Sequence, residues 1–112
     1  MKWYWRMNRH YRKKHKRLAS FYQKLIRVFY SCDLPCSVEI GEGSELMHGG
    51  LGTVIHQRAV IGKNCKIYQN VTIAGNTKGE VPVIGDNVLI GTGSFIMGGL
   101  ELATTLRLVP TL

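Results

Sequence analysis

His48 stands in the stretch L-M-H-G-G-L-G, residues 46–52, with two glycines directly behind it. Imidazole changes charge near neutral pH, with an unperturbed pKa of about 6.5, so it is the natural side chain for moving a proton at that pH. Gly49 and Gly50 would let the backbone come close to a substrate, and an amide of such a loop can stabilise an oxyanion. The other three histidines, His10, His15 and His56, lack that setting; His56 follows an apolar residue at a corner and reads as a solvated side chain. Cys32, Cys36 and Cys65 are odd in number and form no C-x-x-C pair. That disfavours both a disulfide framework and a zinc ribbon, so reduced thiols and no metal are expected.

The elements that must position His48 follow from a count of six. Aliphatic residues recur at Leu34, Ile40 and Leu46, then at Ile55, Ile61, Ile67 and Ile73, then at Ile84, Ile90 and Ile96. Four residues after most of them comes a small or β-branched side chain, as at Val38, Ser44, Ala59, Cys65, Val71, Val88 and Ser94. Corners with Gly, Asn or Asp separate them, in I-G-E-G, I-G-K-N, I-G-D-N and I-G-T-G. A helix cannot produce this period. It is the signature of an all-β solenoid, a parallel β-helix in which each hexapeptide gives one short strand and one corner and three make a coil. The steps from Leu46 to Ile55 and from Ile73 to Ile84 are nine and eleven, so two loops leave the coil. The first carries His48 and the second carries A-G-N-T-K-G-E-V-P; in a solenoid such insertions gather on a working surface.

Residues 1–31 differ in kind. They hold eight of the ten aromatic residues and ten of the fifteen Lys and Arg, with no acid, whereas the remainder has seven acids against five bases. The high charge therefore belongs to an N-terminal arm, and the rest of the chain offers no net attraction to a polyanion such as nucleic acid. Leu18, Phe21, Tyr22, Leu25 and Phe29 share one face of a basic amphipathic α-helix of about three turns ending near Ser31. That stripe is expected to pack under the coils; the alternative is peripheral contact of residues 1–30 with an anionic membrane surface. No apolar run approaches the length of a membrane span and the basic start lacks the core of a signal peptide, so a cytoplasmic location, peripheral to the inner membrane in that alternative, is expected.

Three stretches, D-L-P at residues 33–35, L-M-H-G-G and Q-N-V-T-I-A-G, give the chain a resemblance to the serine acetyltransferase-like branch of the hexapeptide acyltransferases over roughly residues 20–100. The resemblance implies a left-handed β-helix, acetyl-CoA as co-substrate, no metal, and homotrimers with CoA in the groove between neighbouring prisms. It also implies a catalytic pair fifteen residues apart, matched by Asp33 and His48. Positions fifteen apart lie nearly one coil above each other, within reach of a side-chain hydrogen bond. His48 would be the general base toward an acceptor hydroxyl, and Asp33 would hold the imidazole tautomer and stabilise the imidazolium. Gly75 and Thr92 match positions whose backbone lines the pantetheine arm.

Departures from the pattern bear on the acceptor. Family members that acetylate serine carry an acid immediately before the histidine and an Arg-His pair before the proline of the second loop. Here those places hold Met47 and Glu80-Val81. The substrate loop of Met47, Gly49 and Gly50 therefore looks closer to relatives in capsule or exopolysaccharide synthesis, and a sugar or glycan hydroxyl is the expected acceptor, with serine as the alternative. A zinc centre on the same fold would need three histidines, and the coils supply only His48 and His56. A non-catalytic scaffold is the reading from a different class.

The expected domains are the arm at 1–31, the β-helix at 32–102 and an atypical tail at 103–112, without glycine corners. A nucleotide string encoding residues 101–112 spells I-G-D-N-A-K-I-G-A-D-A in another frame, so a frame shift near Leu100 would account for that tail.

Overall fold

The computed structural model describes residues 2–99 and the backbone of 101–102 and 107–108. Two helices, α1 (Lys2–Arg12) and α2 (Lys16–Tyr30), precede a left-handed β-helix. Its strands are β1 (Glu39–Ile40), β2 (Glu45–Leu46), β3 (Val54–Ile55), β4 (Val60–Ile61), β5 (Lys66–Ile67), β6 (Thr72–Ala74), β7 (Val83–Ile84), β8 (Leu89–Ile90), β9 (Phe95–Met97), β10 (Glu101–Leu102) and β11 (Arg107–Leu108). Every third strand pairs, which gives three parallel faces: β1-β4-β7-β10, β2-β5-β8-β11 and β3-β6-β9.

The six-residue count sets the register. Ile61 lies opposite Ile84, Ile67 opposite Ile90, and Ile55 opposite Ile73, which lies opposite Ile96. These isoleucines are buried, together with Val38, Ala59, Cys65, Val71 and Val88 in the small slots. Ser44 and Ser94 stay half-buried. Asn64, Asn70 and Asn87 turn corners with left-handed backbones, φ 57, 58 and 58, a conformation asparagine tolerates better than most residues. Both interruptions leave the prism as loops, at Met47–Gly50 and after Ala74. β10 and β11 continue the ladder, with Leu102 opposite Ile84 and Leu108 opposite Ile90. The rest of the tail expected at 103–112, and with it the frame shift, lies outside the described residues.

The N-terminal region differs from expectation in two ways. The helix expected near Ser31 is α2, ended by Ser31 in a left-handed conformation, but α1 precedes it and folds back against it. Most of the stripe expected to pack under the coils faces outward instead: Leu18, Phe21 and Phe29 are 47%, 56% and 68% exposed, while Tyr22 packs against the core and α2 buries Ala19 and Ile26. The reason is that α1 takes the place beneath the first coil. Met7 is buried there, the Asn8 amide donates to Cys36 O at 3.2 Å, and the Tyr4 hydroxyl donates to Val38 O and accepts from the Ile40 amide at 3.1 Å. α1 thus caps the open end that a solenoid must cover.

Burial pushes the Tyr4 phenol from its ordinary 10.0 up to about 12, against the lowering effect of the Ile40 hydrogen bond. The folded protein keeps a proton that the unfolded chain loses above about pH 10, so stability falls between roughly pH 10 and 12, by up to about 3 kcal/mol. Tyr4→Phe should cost about 1–3 kcal/mol at neutral pH, from two backbone groups left without their partner. Urea melts across pH 7 to 12 should also show a shallower alkaline decline for the variant.

Candidate active site

The catalytic candidate sits on a turn that the backbone can hold only under constraint. After Leu46 the chain enters Met47–Gly50, where His48 has φ 55 and ψ 34, and Gly49 φ 66 and ψ 17. A left-handed backbone costs a non-glycine residue roughly 1–2 kcal/mol, so neighbouring contacts must enforce it. Three backbone bonds do so: Leu51 N–H donates to His48 O at 3.3 Å, Thr53 N–H to Gly50 O at 2.9 Å, and Gly52 N–H to Ser31 O at 2.8 Å. The floor is made by the segment leaving α2. A β-carbon on Gly49 would stand 2.6 Å from the Tyr30 ring, and one on Gly50 2.8 Å from Cys32 Sγ. Trp3 of α1 meets Tyr30 edge-on at 5.4 Å. His48 itself is exposed at the crest.

Asp33 reaches the same corner by pairing with β3. Its N–H donates to Thr53 O at 2.9 Å and its carbonyl accepts from Ile55 N–H at 3.0 Å. The structure brings Asp33 and His48 to one edge, but their side chains form no hydrogen bond. The Asp33 carboxylate faces Arg27 Nη1 at 3.7 Å instead, a pair 40% and 66% exposed. Arg27 lies in the last turn of α2, and left-handed Ser31 folds the chain back beneath it. Next to Asp33, burial, and then the Asp33 charge, push the Cys32 thiol from 9.0 up to about 12. A thiol that keeps its proton is no nucleophile.

Thr92 shares the edge of His48. The corners stack there, with Asn70 N–H donating to Leu51 O at 2.9 Å and Gly93 N–H to Gln69 O at 3.3 Å. Gly75 lies on the opposite edge of the β3-β6-β9 face, where a β-carbon would meet the His56 ring at 3.3 Å. Between the two edges run exposed Val54, Phe95 and Met97.

This geometry has known counterparts. No family model matches the chain. The serine acetyltransferase of Staphylococcus epidermidis is 36% identical over 93 residues, which cover 80% of this chain and 43% of that protein. Among solved structures, the serine acetyltransferase from Brucella abortus in complex with coenzyme A superposes with a TM-score of 0.87 at 26% identity, covering 95% of this chain and 43% of that one. A serine acetyltransferase in complex with cysteine gives 0.85 at 29%, covering 94% and 44%. The chain belongs to the serine acetyltransferase-like branch of the hexapeptide acyltransferases. It spans under half the length of these relatives.

Met47 is half-buried beside His48, and Glu80 belongs to a loop closed on itself. The Asn76 side chain donates to Glu80 Oε1 at 2.9 Å and accepts from the Lys78 and Glu80 amides at 3.0 and 2.9 Å. Arg58 Nη2 ties the loop down through Gly79 O at 2.8 Å. The Glu80 carboxylate is therefore held within its own loop. Arg27, Tyr30 and Cys32 are the neighbours that sequence reasoning missed. Their only signal was closeness in sequence to Asp33.

Gly50→Ala tests the floor of the loop. With φ 76 and Cys32 Sγ in the way, it should lower stability in a urea melt by about 1–3 kcal/mol.

Proposed function

We propose that this chain is an acetyl-CoA-dependent O-acetyltransferase that transfers the acetyl group directly to a hydroxyl. The observation that carries it is the strained, exposed His48 held on one edge with Asp33 and Thr92. Two features support the co-substrate: relatives whose structures hold CoA, and the open apolar column of Val54, Phe95 and Met97 beside that edge. His48 takes the hydroxyl proton as the oxygen attacks the thioester carbonyl, and returns it to the departing CoA sulfur. Asp33 leaves Arg27 to accept from the ring N–H of His48, which holds the imidazole tautomer and then stabilises the imidazolium. Loop amides near Gly49 and Gly50 are the candidate oxyanion donors. Cys32 beside Asp33 is fully buried and so out of reach of the thioester.

Gly75 and His48 stand on opposite edges of one face, which supports a homotrimer in which one protomer's His48 edge meets its neighbour's Gly75 edge. Serine is the acceptor that the names of the relatives support. The second reading, a sugar hydroxyl, rests on Met47 and on the Glu80 carboxylate, which repels a carboxylate-bearing acceptor and can accept from hydroxyls.

Thiol release from acetyl-CoA, with serine and with a panel of sugars, tests both levels. His48→Ala should lower kcat by about 10²–10⁴; turnover unchanged by the substitution would remove the base. Turnover with sugars and none with serine would decide for the second reading, and the reverse for the first.

A further inference from the structure

α2 carries an apolar face that nothing among the described residues covers. Val28 is 73% exposed, Phe29 68%, Phe21 56% and Leu18 47%. On a helix these positions and half-buried Leu25 fall within one continuous stripe, beside the face that buries Ala19 and Ile26. Arg17 and Lys24 border the stripe on its outer side, and Lys13, Lys14 and Lys16 gather at its N-terminal end. Residues 1–30 contain ten basic residues and no acid.

We infer that this face docks on an anionic lipid surface, with α2 lying in the plane of the interface. An apolar stripe flanked by cations is what such a surface selects: side chains enter the acyl boundary while Lys and Arg reach the headgroup phosphates. A second copy of the chain is disfavoured, because it would bring two hairpins of ten positive charges each face to face. Nucleic acid would satisfy the charge but leaves Leu18 and Val28 in water.

The face is remote from the chemistry of His48, so the inference stands or falls separately from the proposed activity. The test is sedimentation of the full chain with vesicles of phosphatidylcholine alone and of phosphatidylcholine mixed with phosphatidylglycerol. Binding is expected to the mixed vesicles only, weakening as salt is raised. Lys24→Gln should weaken it about fivefold, and Phe21→Ser or Val28→Ser about tenfold or more, with melting temperatures unchanged because these side chains are exposed. Lys63→Gln removes the same charge from the prism and should have no effect. Failure to bind mixed vesicles, equal binding to both kinds, or equal losses for Lys24→Gln and Lys63→Gln would overturn the inference. So would stripe variants that bind as wild type while an oligomer of the chain falls apart in ultracentrifugation, since the face would then join copies.

Discussion

Each coil of this solenoid must place an aliphatic side chain directly against the one in the coil beneath, at the strand spacing of about 4.8 Å. Ile55, Ile73 and Ile96 form one such column, and Ile67 and Ile90 belong to another. That constraint leaves no freedom inside the prism. A hexapeptide that gained one residue would turn its isoleucine outward, so extra residues can be accommodated only as loops at corners. Both insertions of the chain are found there, and they carry the chemically distinctive side chains. The rigidity of the core and the position of the candidate site have one cause.

The same constraint explains what was legible. Periodicity specifies which residues point inward, so the three faces, the corners and both loops could be written down from the spacing alone. His48 stands out in the sequence because it interrupts that count just ahead of two glycines. The helical region obeys no such rule. A stripe of Leu18, Phe21 and Phe29 says that a helix is amphipathic but not what covers its apolar side. Its fate was decided by α1, whose Tyr4 and Met7 fill the end of the prism in its place. Tyr4 could do so because its hydroxyl satisfies two backbone groups of the first coil. That pairing depends on tertiary placement that no local pattern encodes.

The N-terminal hairpin is more than a lid. Tyr30 and Cys32 lie against the two glycines that follow His48, and Trp3 braces Tyr30 from α1. The left-handed backbone at His48 is thus enforced from below by aromatic packing, and from the side by Gly52 bonding to Ser31. Strain at a functional residue persists only where the surroundings over-determine it. Here the over-determination comes from the segment that joins cap to coil.

The partner of Asp33 follows from the same junction. An ion pair as open as Arg27–Asp33, with side chains 66% and 40% exposed, contributes about 0–1 kcal/mol, because water screens it and two long side chains must be ordered to make it. A hydrogen bond from a charged donor to the same carboxylate is worth about 1.5–3 kcal/mol. In the proposed mechanism an imidazolium at His48, in a site closed by substrate, would outcompete the guanidinium, whereas a neutral imidazole in water would not. Arg27 keeps the Asp33 carboxylate turned toward the last turn of α2. In the free chain the charge balance accordingly turns the Asp33 carboxylate toward Arg27 and not toward the neutral His48 ring.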